Sequence, residues 1–375
     1  MHLDKTLIVR GAPQEFICRT GCWDELEQHL ERRGIGSALV VHGEASWQAA
    51  SSYFPEMTRT RVHFEKYNGE CTYDERDRLI RAIEDRGLQA IVAVGGGKLT
   101  DVAKAAANSL NVPVIILPTL ASTCAAWTPL SIVYDDSGAM VGFDVYPRGN
   151  SLVLLDPQVI LDSPSELLIA GIGDTLAKWY EADVIISQLD TVPVEIEIAR
   201  FAARKCRDDL LQYSVTALKA LADKRLNEAF VRIVETNVMV AGMVGGFGDR
   251  YGRTAGAHSI HDALTYVPQS HRLKHGMKVA YGVLVQLTIE GKRGEIDALL
   301  PFYARLGLPA SLRDMELDFL SRAERLRLAE RAVEREASIH MMPGDITADA
   351  VFDAIERLER YTTSQPERLG TQGGA

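Results

Sequence analysis

Four of the nine histidines in this 375-residue chain fall within residues 257–276, AHSIHDALTYVPQSHRLKHG: His258, His261, His271 and His275. Neutral imidazole is the commonest transition-metal ligand, so this density outweighs the ordinary reading of a lone histidine as a satisfied core or surface group. His258 and His261 are three apart in a segment of helical composition, which puts both rings on one helix face. His275 follows the interruption Pro268-Gln269-Ser270, just ahead of a second apolar-periodic run over 278–287, so imidazoles from two helix ends can converge. Gly171-Ile172-Gly173-Asp174 reads as the opening of a helix, with Asp174 either its N-cap or the third ligand. A carboxylate with two imidazoles leaves an open position for a substrate oxygen, as catalytic metal sites do.

Other stretches fit a phosphate-bearing ligand. Val94-Gly95-Gly96-Gly97-Lys98-Leu99-Thr100-Asp101 joins an apolar run to a helical one. Three glycines there let backbone amides approach a diphosphate, and the helix N-terminus adds partial positive charge. The motif is neither GxGxxG nor a Walker A loop, and an unliganded strand-to-helix turn is the competing reading. The hydroxyl-rich loop 118–131 follows the next apolar run, at a strand end where ligands bind, with Trp127 or Tyr134 placed to pack near a ring. A Ser/Thr-rich capping loop explains that stretch equally well.

These motifs need a scaffold. Apolar runs at 38–41, 90–94, 112–117 and 151–155 alternate with helical stretches at 45–52, 76–86 and 100–110, the pattern of a parallel sheet covered by helices. From Ser163 to about Arg360, Leu, Ala and charged residues recur at helical spacing through 165–187, 193–221, 225–243 and 278–291. The expected division is an α/β dinucleotide-binding domain over 1–162, a helical metal- and substrate-binding domain over 163–361, and a polar, Gly-rich, disordered tail over 362–375.

A net charge of −10 argues against nucleic acid or an anionic membrane as a partner and leaves small molecules. No stretch reads as a membrane span or a signal-peptide core, and five cysteines without CxxC spacing read as reduced thiols, so the expected location is cytoplasmic.

GGGKxxD after a strand, PTxAST, GIGD, and HxIH followed by a later HG together resemble the iron-containing alcohol dehydrogenase and glycerol dehydrogenase superfamily. The match runs from Gly95 to Gly276, with Asn68-Gly69-Glu70-Cys71 extending it upstream. The resemblance implies a Rossmann-like N-terminal domain, an all-α C-terminal domain as in dehydroquinate synthase, and a cleft holding nicotinamide cofactor and metal. It implies Asp174, His258 and His275 as metal ligands. Gly95, Gly96, Gly97, Lys98, Asp101, Thr119, Ser122, Thr128, Leu130 and Tyr134 are then the cofactor lining. Iron-dependent members carry a histidine four residues after the aspartate. Lys178 stands there, which favours the zinc-type branch over iron.

Cys124 stands where glycerol dehydrogenases have a polyol-binding aspartate, and residues 123–131 with Gly248-Asp249-Arg250 look most like the hydroxycarboxylate dehydrogenases. The expectation is a metal-dependent oxidoreductase moving a hydride between NAD or NADP and a small 2-oxo or 2-hydroxy acid, in a homo-oligomer. Arg250 and Arg253 are its carboxylate-binding candidates, His261 its proton relay or a support for the metal ligands. The alternatives are a polyol dehydrogenase, a dehydroquinate synthase-like lyase using Arg272 and Lys274, and a non-catalytic nucleotide-binding regulator. Val41 is followed by His42 and Gly43 with Glu44 late, so no acid at the strand end discriminates between the two cofactors.

Overall fold

The computed structural model describes residues 1–3 and 7–364. These form two compact units: Arg10–Leu168 with Thr216–Gly246, and Ile169–Val215 with the described parts of Met1–Val9 and Phe247–Ala375. The tail expected to be disordered lies, from Gln365 onward, outside the described residues.

The first unit is α/β. Its strands are β1 (Phe16–Cys18), β2 (Ser37–His42), β3 (Arg61–Lys66), β4 (Ile91–Gly95), β5 (Val114–Pro118), β6 (Leu130–Tyr134), β7 (Met140–Val145) and β8 (Leu152–Leu155). Its leading helices are α1 (Leu26–Arg32), α2 (Glu44–Ala50), α3 (Tyr73–Glu84), α4 (Gly97–Leu110) and α5 (Pro157–Leu161). Six strands form a parallel sheet in the order β1-β8-β5-β4-β2-β3, while β6 and β7 pair antiparallel. Strands β4, β5 and β8 are wholly buried and nearly all apolar, which is why the sequence reveals them. β3 escapes it: Arg61-Val62-His63-Phe64-Glu65-Lys66 lies at the sheet edge, half exposed, where charged side chains keep an open strand from pairing further. From β2 the chain steps outward to β3, then returns to β4 on the other side. The order therefore reverses between β2 and β4, whose C-terminal turns are His42-Gly43 and the glycine turn. Ligands of open α/β sheets bind at such a reversal.

Lys104 on α4 is fully buried, and its Nζ donates to the carbonyls of Ala125 (2.7 Å), Thr128 (3.1 Å) and Leu130 while pairing with Asp101 at 2.8 Å. A buried ammonium persists only when its donors are satisfied, and these acceptors fix the course of loop 118–131.

The chain continues through α6 (Ser165–Ile186), α7 (Val194–Ala222), α8 (Glu228–Glu235), a π-helical turn (Thr236–Val240) and α9 (Ala241–Gly248). The remaining helices are α10 (Gly256–Thr265), α11 (His275–Ile289), α12 (Arg293–Leu306), α13 (Arg322–Ala332) and α14 (Ala348–Thr363). Thr216–Gly246, assigned from composition to the helical domain, groups with the α/β unit. There α8 packs on α5, Asn237 donates to the Ala121 carbonyl at 3.0 Å, and Gly242 lies against Trp127. Helical periodicity identifies a helix but not the core it joins. Residues 228–252 are long and apolar enough to cross a membrane, contrary to the sequence expectation, but 61% of the qualifying window is buried in the protein. Residues 169–215, with most of α6 and α7, and the helices from α10 onward belong to the second unit.

Glu27 on α1 is the main tie between that helix and the segment leading into β3. Its carboxylate accepts from the amides of Thr58 (2.9 Å), Arg59 (2.7 Å) and Thr60 (2.9 Å) and from the Thr58 hydroxyl (3.0 Å). The amides of Arg59 and Thr60 do most to hold its pKa down, to about 2, below the usual carboxylate value. A depressed carboxylate stabilises the fold at pH values above its unfolded pKa and loses that contribution as pH falls through the folded one. Glu27→Gln is therefore expected to be less stable than wild type at neutral pH. Urea midpoints measured across pH should show that difference shrinking between about 4.5 and about 2.

Candidate metal centre and glycine-turn site

Three helices of the second unit approach at backbone distance. A Cβ added to Gly276 would lie 1.7 Å from the Ala170 carbonyl oxygen, and one added to Gly173 would lie 2.5 Å from that of Gly276. Helices α6 and α11 therefore touch main chain to main chain. A Cβ at Gly282 would lie 2.3 Å from the Ala257 oxygen, so α11 approaches α10 equally closely. These crossings set Asp174, next to Gly173 on α6, beside His258 near the start of α10 and His275, the first residue of α11. Asp174 is not an N-cap, because α6 begins at Ser165 and runs through both glycines. Glycine reads as a helix boundary in sequence, but here its missing side chain serves helix packing.

His258 Nε2 and His275 Nε2 each lie 3.3 Å from Asp174 Oδ1, and one donor atom from each of the three residues falls within 4.8 Å of the others. Asp174 Oδ1 is buried and makes no hydrogen bond. Donor atoms bound tetrahedrally at about 2.0–2.1 Å sit about 3.3 Å apart, so the set has the chemistry and the carboxylate-to-imidazole spacing of a divalent-cation site. An orphaned buried carboxylate oxygen is otherwise costly.

The imidazoles are themselves oriented. Glu181 Oε2 lies 2.6 Å from His258 Nδ1, while Glu181 Oε1 accepts the amides of Ala255 (2.7 Å) and His258 (2.9 Å), capping α10. That bond keeps a proton on Nδ1 and leaves Nε2 as the nitrogen that faces Asp174. Gln286 on α11 reinforces the arrangement, donating to the Tyr180 carbonyl (2.9 Å) and accepting from the Ala257 amide (3.0 Å). His275 Nδ1 is 2.8 Å from His261 Nε2, and His261 Nδ1 is 2.8 Å from Asp262 Oδ1. Both His261 ring nitrogens are thus committed, which makes this residue a support for His275 rather than a group in contact with substrate. His271 stands apart, its Nε2 2.7 Å from the Thr265 carbonyl at the end of α10.

Burial opposes ionisation of Asp174, but the Lys178 ammonium and the two imidazoles outweigh it and hold its carboxyl well below the usual range. Burial likewise lowers His258, yet the Glu181 carboxylate and contacts with Asp174 and Glu181 raise it to about 9. His261 drops to about 3 through burial and its neighbour His275. Glu181 and Lys178 were not identified as site residues from sequence. With Asp174 they fall at i, i+4 and i+7, one face of α6, and that spacing was the available signal.

In the α/β unit, the turn Gly95-Gly96-Gly97 closes β4 and opens α4 with no side chain capping its first turn. A Cβ on Gly96 would meet Leu120 at 2.6 Å, and one on Gly97 would meet Thr123 at 3.0 Å, so loop 118–131 packs onto the turn. Thr119, whose amide donates to the Gly95 carbonyl at 3.1 Å, has a buried hydroxyl without a hydrogen-bond partner. Uncapped amides and an orphaned hydroxyl together fit an anionic ligand such as a diphosphate. Lys98 pairs with Glu70 at 2.5 Å and sits 4.6 Å from the Tyr134 ring centre. Ser122 is half-buried in the same loop.

Several residues expected at the site also have structural partners. Asp101 is buried against Lys104 and accepts from the Ile132 amide at 3.2 Å. Thr128 and Leu130 give their carbonyls to Lys104. Trp127 is core: its Nε1 donates to the Gly11 carbonyl at 2.8 Å, and its ring packs on Phe16. Cys124 is half-buried, and its carbonyl caps the Trp127 amide at 2.9 Å. Arg253 donates to Asp249 at 2.7 Å, and Arg250 donates to the Tyr251 hydroxyl at 3.0 Å, so both guanidinium groups have partners on their own segment. Arg272 is likewise engaged by Glu316 and the Met315 carbonyl.

A family model for iron-containing alcohol dehydrogenases matches residues 13–157. Hydroxycarboxylate dehydrogenase A of Escherichia coli is 35% identical over 351 residues, covering 93% of this chain and 96% of that protein. Glycerol dehydrogenase of Thermotoga maritima is 33% identical over 354 residues, with the same coverage. The crystal structure of glycerol dehydrogenase from Schizosaccharomyces pombe superposes with a TM-score of 0.89 at 29% identity, covering 99% of this chain and 95% of that one.

The helix crossing can be tested by substitution. Gly276→Ala is expected to cost about 3 kcal/mol or more, because neither backbone can move away from the added methyl. Gly294→Ala on α12, where a Cβ meets nothing within 4 Å, should be neutral or stabilising in the same thermal-denaturation series. Glu181→Gln should retain the fold while weakening divalent-ion binding by about 10–100-fold in calorimetric titration.

Proposed function

Because the chain belongs to the iron-containing alcohol dehydrogenase family and is a metal-dependent, NAD-linked oxidoreductase acting on CH–OH groups, we propose that its substrate is a small 2-oxo or 2-hydroxy carboxylic acid. The observation that carries this substrate reading is Lys178, a buried cation one helical turn beyond Asp174 and acting electrostatically on both Asp174 and His258. A fixed positive charge at that position favours a substrate that brings its own carboxylate, whereas a neutral polyol gains nothing from it. Lys178 replaces Arg250 and Arg253 as the carboxylate-recognising residue in this reading.

Asp174, His258 and His275 would hold the divalent ion, which supplies Lewis acidity toward the substrate oxygen, while the nicotinamide donates or accepts the hydride. Glu181 keeps the proton of His258 on Nδ1. Asp262 does the same for His261 Nδ1, so that His261 Nε2 can accept from His275 Nδ1 and leave His275 Nε2 turned toward Asp174. The amides of the first turn of α4 and the Thr119 hydroxyl would bind the cofactor diphosphate. Zinc is the ion in this reading, since Lys178 occupies the position of the extra histidine of iron-dependent members. The five free thiols support a cytoplasmic location.

A polyol substrate is the second reading, favoured by the 33% identity to a glycerol dehydrogenase. Following NADH and NADPH absorbance with a panel of 2-oxo acids, 2-hydroxy acids and polyols separates the two. The acid reading predicts kcat/KM for the best acid at least about tenfold above that for glycerol, with His275→Ala inactive but folded. It also predicts that Lys178→Met raises KM for acids far more than for any polyol. Faster turnover of glycerol than of every acid, with Lys178→Met indifferent, would overturn it.

Cofactor choice follows from the end of β2. Glu44, the nearest acid, pairs with Lys66 at the end of β3, so its charge is offset by a cation suited to a 2′-phosphate. Both NADH and NADPH are expected to serve, and Lys66→Glu should shift the kcat/KM ratio toward NADH. A wild-type enzyme that rejects NADPH would contradict this.

A further inference from the structure

Between α8 and α9 the helix widens without breaking. Thr236–Val240 form a π-helical turn, in which the Ala241 amide donates to the Thr236 carbonyl five residues back. The segment Thr236-Asn237-Val238-Met239-Val240 contains neither Pro nor Gly, so its own residues do not force the irregularity. Turns of this kind are rare and concentrate at functional sites. Here the turn sets a rotation. At 3.6 residues per turn, residues five apart on an α-helix point about 140° away from one another, whereas across a five-residue turn they return to one face. Asn237 and Gly242 are five apart, and both meet loop 118–131: Asn237 Nδ2 donates to the Ala121 carbonyl at 3.0 Å, and a Cβ on Gly242 would overlap the Trp127 ring.

The two halves of that loop are held differently. Lys104 and Asn150 take the carbonyls of Ala125, Ala126, Thr128 and Leu130, all in the second half. The first half carries Thr119 and Ser122 and leans on the glycine turn through Leu120 and Thr123, and Asn237 anchors it at Ala121. Asn237 keeps this place at a cost, because it is fully buried and its Oδ1 has no hydrogen-bond partner. An apolar side chain of similar size would leave no such orphaned acceptor. Given the diphosphate reading of the glycine turn, on which this rests, we propose that Asn237 is a positioning residue for the cofactor. It touches no ligand: by holding the Ala121 carbonyl it fixes the chain that presents the Thr119 hydroxyl beside the glycine turn. Without the donor, residues 119–123 sample several conformations, and part of the cofactor's binding free energy goes into ordering them.

Two measurements on the full-length protein test this: hydrogen–deuterium exchange resolved by peptide, and fluorescence titration with NADH. Asn237→Leu is expected to speed amide exchange in 119–123 at least about tenfold while 125–131, held by Lys104, keep wild-type rates. It is also expected to raise the dissociation constant for NADH at least about tenfold, and saturating NADH should return 119–123 to the wild-type rate. If Asn237→Leu does not fold, Asn237→Ala is read by the same two measurements. The proposal is overturned by exchange that rises equally in both halves of the loop, as a merely structural residue would give. A wild type and variant that bind NADH equally well overturn it alone, whereas a wild type that binds no nicotinamide nucleotide overturns the diphosphate reading and this proposal together.

Discussion

The geometry of the candidate metal centre depends on a backbone contact. Helices α6 and α11 meet where Gly173 and Gly276 carry no side chain, and a methyl group at Gly276 would overlap the Ala170 carbonyl. An ordinary helix pair is held at about 8–10 Å by its side chains. Only this closer approach lets a short Asp174 side chain reach both imidazoles while all three ligands stay on rigid helices. Gly282 repeats the device between α11 and α10. A site built from helix backbones in contact is stiff, which suits a centre that must orient a substrate oxygen.

Burying a carboxylate, two imidazoles, a glutamate and a lysine in one region is costly unless each is partnered. Glu181 meets its share of that cost three times over, by binding His258 Nδ1 and two amides of α10. Asp262 and His261 do the same for His275. The exception is Asp174 Oδ1, whose lack of a hydrogen bond marks where a cation belongs. In the α/β unit the Thr119 hydroxyl beside the glycine turn is one of several buried polar atoms without a partner, while Lys104, buried but fully satisfied, fixes the loop that carries it.

The candidate metal ligands were legible because their types are rare and their chemistry specific: His258 and His275, with Asp174 in a glycine-rich segment. The buried strands were legible as apolar runs, and edge strand β3 was not, because its exposed side carries charge. Groups that act through others were poorly visible. Glu181 and Gln286 resemble any polar residue on a helix until the fold shows what they bond. Asp101, expected by resemblance to line the cofactor, and Trp127, expected to pack near a ring, both have buried structural partners that spacing does not reveal. Arg250 and Arg253, expected to bind a carboxylate from their charge, their forked donors and their place before His258, donate to Tyr251 and Asp249 respectively. Sequence spacing reports which face a residue occupies, but its partner is set by tertiary packing.

The crossing of α6, α10 and α11 is expected to build one divalent-ion site from Asp174, His258 and His275. X-ray diffraction from crystals of the metal-loaded protein, recorded on both sides of the ion's absorption edge, tests it directly. One anomalous peak per chain is expected within bonding distance of Asp174 Oδ1, His258 Nε2 and His275 Nε2, with Glu181 still on His258 Nδ1. A peak ligated by other residues, or none at this position under saturating ion, would contradict it.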